Sequence, residues 1–85
     1  MGVVPRVASA LLALLPPPPL PAPPILVDLP VSAAEFAAAI GVSPETLSRA
    51  VSKLVADNVV HRIGPRRLQV LDPGSLERAA HLAVA

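Results

Sequence analysis

Glu45, Ser48, Arg49, Ser52 and Lys53 recur at the three- and four-residue spacing that gathers side chains on one face of a helix. A face of this make-up has the chemistry of binding, not of bond breaking. The planar guanidinium of Arg49 can donate two parallel hydrogen bonds to guanine O6 and N7. Glu45, one turn earlier, can accept from cytosine N4 or orient Arg49, and Ser48 lies beside them. A plainer reading stands next to this one, in which Glu45 and Arg49 form a solvated i, i+4 pair worth about 0.2–0.5 kcal/mol. Pro44 offers no hydrogen bond to a base, which narrows what the face can read.

Such a face needs a helix behind it, and the chain supplies one. Leu47, Ala50, Val51 and Leu54 repeat at i, i+3, i+4 and i+7 and form the stripe to be buried. Ser43 is a natural N-cap, and Pro44 fits the first helical position, where its missing N–H costs nothing. The spacing predicts a helix over residues 43–54 that fades near Asp57 and Asn58. Upstream, Ser32 and Glu35 have the S-x-x-E spacing of a capping box, and Phe36, Ala39 and Ile40 fall on one helical face. Gly41 ends that helix, where a left-handed backbone is cheap for glycine. Two short helices joined at Gly41 have the layout of a helix-turn-helix, whose second helix enters the DNA major groove.

Residues 59–63 and 68–71 are two strand candidates around a Gly64-Pro65-Arg66-Arg67 turn, a β-hairpin wing with two arginines at its tip. Lys53, Arg66 and Arg67 are candidate phosphate contacts or ordinary surface charge. The hydroxyls of Ser32, Ser43 and Thr46 at helix starts could likewise hold phosphates or simply cap. Residues 25–29 read as a third short strand bounded by prolines. Asp72-Pro73 opens a last helix with Leu76, Ala79, Ala80 and Leu82 as its apolar side. Residues 7–15 form a further helix, stopped by Pro16. Residues 16–24 hold seven of the twelve prolines and are expected as an extended polyproline II connector, or alternatively as an SH3- or WW-type ligand. The expected division is an N-terminal helix and linker over 1–24 and a winged helix-turn-helix over 25–85, mainly α with a small β-hairpin.

Bulk composition narrows the function classes. At 85 residues the chain is one small domain, and with a single Phe and neither Trp nor Tyr its core must be aliphatic. The absence of cysteine removes disulfides, thiolate metal sites and Cys nucleophiles, and fits a reducing compartment. Net charge is only +1, yet residues 49–67 carry five Lys/Arg against the single acid Asp57. No apolar run approaches the roughly 20 residues of a membrane span. The VASALLALL stretch after Arg6 has the look of a signal core, but its n-region has only one basic side chain and the prolines that follow offer no good small-x-small cleavage site, so export is not expected. His61 and His81 stand apart from each other and from carboxylates, and no nucleophile elbow or glycine-rich phosphate loop is present. Neither an enzyme nor a cofactor is expected.

Glu45-Thr46-Leu47-Ser48-Arg49 resembles the E-T-[VIL]-[SG]-R recognition helix of Crp/Fnr-type bacterial transcription regulators. The wing follows over residues 63–72 as in their C-terminal domain, and RVASALLALL is similar to the helix that precedes it. The resemblance implies a cytoplasmic winged helix-turn-helix that regulates transcription. Glu45, Ser48 and Arg49 would read bases of double-stranded DNA, and a homodimer or partner subunit would supply a second half-site. RNA polymerase is a further partner implied by the family. The family's sensor barrel and long dimerisation helix have no counterpart in these residues, so effector sensing is not implied. The alternatives are a winged-helix protein-interaction module and a truncated regulator fragment.

Overall fold

Two serine caps and two residues in left-handed conformation delimit the central helices. The computed structural model describes residues 2–81, in the order α1 (Val3–Leu12), β1 (Ile25–Asp28), α2 (Ala33–Ala39), α3 (Pro44–Ala56), β2 (Val60–Gly64), β3 (Arg67–Val70) and α4 (Pro73–His81). This is the expected mainly helical winged helix-turn-helix. The Ser32 hydroxyl accepts from the Glu35 N–H at 3.2 Å, and that of Ser43 from the Thr46 N–H at 3.1 Å. The box at α2 closes through side chains, with the Ser32 hydroxyl donating to Glu35 Oε1 at 3.1 Å.

Both helices end alike. Gly41 has φ +79°, and the N–H groups of Gly41 and Val42 return to the carbonyls of Ala38 and Ala37. Asn58 takes φ 59°, and the N–H groups of Asn58 and Val59 return to Val55 and Leu54. Each is the paired closure that satisfies last-turn carbonyls and turns the chain sharply. At Gly41 a second constraint applies, because a Cβ there would lie 2.8 Å from Arg6 Nη2. The Arg6 guanidinium crosses from α1 to donate to the Ile40 carbonyl at the C-cap of α2.

The core is aliphatic. Leu47, Ala50, Val51 and Leu54 of α3 are buried as their spacing requires, together with Val7, Ala8 and Leu11 of α1 and Leu76 and Ala80 of α4. In α2 the buried pair is Phe36 and Ala37, while Ile40 is half-buried and Ala39 exposed. The expected face of Phe36, Ala39 and Ile40 is therefore rotated, because α2 lasts only seven residues before the Gly41 closure. Leu82 lies outside the described residues.

Helix α1 starts four residues earlier than the expected Val7, at Val3, and stops at Leu12. Pro5 is accommodated in the first turn, where no intrahelical donor is needed. Beyond Leu12 the coil tightens, with the N–H groups of Leu14 and Leu15 bonding three residues back at 3.0 and 3.1 Å. The proline tract is not one extended rod but bends at residues 17–19 and 22–24. Both ends of the tract are anchored on one core, through partly buried Leu14 and Leu15 and through Ile25.

The sheet has three strands rather than a lone hairpin, in the order β1-β3-β2, all antiparallel. Ile25 faces Val70 and Val27 faces Leu68, so β1 joins the wing strand and buries one side of its alternation. Between β2 and β3 the register slips at Ile63, an extra residue that is 47% exposed.

Asp72 caps α4. Its Oδ1 accepts from the Ser75 N–H at 3.1 Å and its Oδ2 from the Ser75 hydroxyl at 2.7 Å. These bonds, the hydroxyl first, lower the Asp72 pKa below its ordinary value. A carboxyl group with a depressed folded-state pKa contributes stability that is fully present above its unfolded value, about 3.9, and that is lost as pH falls through the folded value. Asp72→Ala should therefore lower the thermal midpoint at pH 7, and its gap from the parent should narrow as pH falls below the unfolded value and through the lower folded one. Circular-dichroism melts across that range check this, and a gap independent of pH would contradict it.

Candidate nucleic-acid interface

Pro44 starts α3 directly after the Ser43 cap, and the helix stands on its Leu47–Leu54 stripe with Glu45, Ser48, Arg49 and Ser52 exposed on the other side. Glu45 and Arg49 form neither a hydrogen bond nor an ion pair with another side chain among the described residues. Their donors and acceptors are open to solvent, and the i, i+4 pair between them is not made. Ser43 and Thr46 are joined at the helix start, the Ser43 hydroxyl donating to Thr46 Oγ1 at 2.8 Å. Ser32 is engaged in capping α2.

The cations divide into three settings. Lys53 pairs with Asp57 at 3.4 Å and, with Arg78 and Ser75, lines a cavity of about 390 Å³ on the α1 and α4 side of α3. Arg66 folds back from the wing turn and donates to the Leu29 carbonyl from Nη2 at 3.0 Å and from Nε at 3.3 Å. Arg67 meets its cross-strand partner Asp28, Nε to Oδ1 at 2.7 Å. Hydrogen bonding to Arg67 is the main reason the Asp28 pKa is lowered, with the charges of Arg67 and Arg66 adding to it. The same contact raises that of Arg67. Arg66 in the wing turn and Arg67 at the start of β3 are thus both tied to the β1 segment.

Sequence reasoning passed over Arg62. Its Nη2 donates to the Ser48 carbonyl at 2.9 Å and approaches Ser48 Oγ at 3.4 Å, and its Nη1 donates to Ser52 Oγ at 3.2 Å. The signal was available. Alternation along β2 puts Arg62 on the same face as buried Val60, and that face looks toward α3. Beneath this bridge lies a cavity of about 160 Å³ lined by Pro44, Leu47, Ser48, Val51, Arg62 and Leu68, among others.

A family model described as a Crp-like helix-turn-helix domain matches residues 5–79. The chain belongs to that family. The catabolite activator protein of Thermus thermophilus is 34% identical with a TM-score of 0.70, over 98% of this chain and 35% of that one. A CRP/FNR-family transcriptional regulator, also from Thermus thermophilus, is 26% identical with a TM-score of 0.76, over 95% of this chain and 41% of that one. The CO-dependent transcription factor CooA of Carboxydothermus hydrogenoformans shares the fold, with 22% identity and a TM-score of 0.79 over 91% of this chain and 36% of that one. Among curated proteins none matches in sequence. The Crp-like domain thus spans well under half the length of each of these regulators. The match takes in α1, whose Val7, Ala8 and Leu11 share the core with α3. No helix among the described residues is long and apolar enough to cross a membrane.

Proposed function

We propose that this Crp-like domain binds double-stranded DNA in a sequence-dependent way, as the DNA-contacting part of a cytoplasmic transcription regulator. Helix α3 enters the major groove, and no covalent chemistry is involved. The observation that carries this reading is the exposed, unpartnered pair Glu45 and Arg49, flanking Ser48 on the side of α3 away from its buried stripe. These three residues read base edges. Ser32, Ser43, Thr46, Lys53, Arg66 and Arg67 supply phosphate contacts around them. A single domain covers one half-site with an affinity of about micromolar, and a second copy or partner subunit completes the site. RNA polymerase is the further partner that family membership suggests.

Selection from a random-duplex pool, followed by titration of the winning duplex with salt, tests the reading. The expected result is a recurrent half-site and a log–log salt slope of about −2 to −3, from three cationic phosphate contacts at about −0.9 each. Binding that ignores duplex sequence would overturn the base-reading role. A slope near zero, with retention of another protein instead, would favour a protein-interaction module.

A further inference from the structure

We propose that Arg62 sets part of the base preference of this interface by holding Ser48 and Ser52 as outward-facing hydrogen-bond donors. This rests on the reading of α3 as a DNA-recognition helix.

The guanidinium reaches from β2 to α3 and touches three oxygens there, the Ser48 carbonyl and the hydroxyls of Ser48 and Ser52, at 2.9, 3.4 and 3.2 Å. All three are neutral acceptors. Among the described residues no carboxylate therefore stands against Arg62, whereas Arg67 and Lys53 face Asp28 and Asp57. A serine hydroxyl has one hydrogen and two lone pairs. A cation bonded at its oxygen claims lone-pair density and turns the hydrogen away from itself, into the groove. Ser48 and Ser52 then present donors to the bases, which suit guanine O6 and N7, adenine N7 or thymine O4, and disfavour the amino groups of cytosine and adenine. The planar fork makes this possible, since one nitrogen serves Ser48 while the other serves Ser52. A lysine at position 62 would keep the charge without spanning both.

The same bridge fixes the wing to the helix. The Ser48 carbonyl is part of the α3 backbone, so the bond at 2.9 Å ties the inner face of β2 to the middle of the recognition helix next to the slip at Ile63. Arg62 is thus a positioning residue. It acts on the bases through two serines and sets the distance of the wing from the groove.

The test measures affinities for the selected duplex and all its single-base variants with the parent, Arg62→Lys, Ser48→Ala and the double substitution, at one salt concentration. Circular-dichroism melts verify that each is folded. Arg62→Lys should lose roughly fivefold in discrimination at the base pair beneath Ser48. Ser48→Ala should lose discrimination at the same base pair, and the double substitution should add little to either single change. Arg62→Lys discriminating like the parent, or losing affinity uniformly across all duplexes, would overturn the role of Arg62 while leaving DNA recognition by α3 intact. A parent protein with no preference among duplexes would overturn both readings together.

Discussion

Leu54→Ala is expected to lower the unfolding free energy by about 2–5 kcal/mol. Leu54 is 1% exposed and sits on the α3 stripe, in one core with residues of α1, α4 and the sheet. The total stability of a domain this size is about 4–13 kcal/mol, so this one truncation removes a large share of it. The core has little capacity to refill the gap. Its only aromatic is Phe36, on the short helix α2, and its other members are aliphatic or alanine. Urea unfolding measures the effect as a lower midpoint at constant slope. Lys53→Ala, one position away on the exposed face, should move the midpoint very little. A loss below about 1 kcal/mol for Leu54→Ala would mean that α3 does not rest on the core through this stripe.

The second large effect falls on binding. Arg49→Ala should cost about 1–3 kcal/mol on the preferred duplex and relax the preference at one base pair. Little of this loss should appear in stability, because Arg49 is exposed and bonds to no other side chain among the described residues. Arg67→Ala provides the contrast. It should weaken all duplexes by a similar factor and make the salt slope shallower by up to about 1. Its pairing with Asp28 makes this the smaller change. The two substitutions can be compared across one panel of duplexes. If they produced the same pattern, Arg49 would be contacting phosphate and not base edges.

The helix-turn-helix was legible because each of its boundaries is written in local chemistry. Ser32, Gly41, Ser43 and Pro44 are cap and turn residues whose preferences do not depend on distant partners. The α3 stripe was equally clear, since its period alone decides which side is buried. Contacts far apart in sequence were not legible in this way. That β1 pairs with β3, that Arg6 reaches the Ile40 carbonyl, and that Arg66 and Arg67 turn back onto Leu29 and Asp28 all depend on where the chain returns. The bends in the proline tract are likewise absent from the local preference for an extended form. The wing strands were placed within a residue of their observed limits. The slip at Ile63, however, required the register with β3. Arg62 lay between these cases, because alternation pointed it inward and only the packing of α3 on that face gave it partners.

The sheet also bears on how copies of this protein meet one another. Its outer strands are β1 and β2, and a bare strand edge invites a neighbouring molecule to add its own backbone. Here β1 is four residues long with Pro24 before it and Pro30 close behind, and β2 is distorted at Ile63 and carries Arg62. Short length, flanking prolines, a bulge and a charge are features that deter cross-molecule strand addition. Crowding many copies along one stretch of nucleic acid should therefore not seed amyloid-like stacking through this sheet.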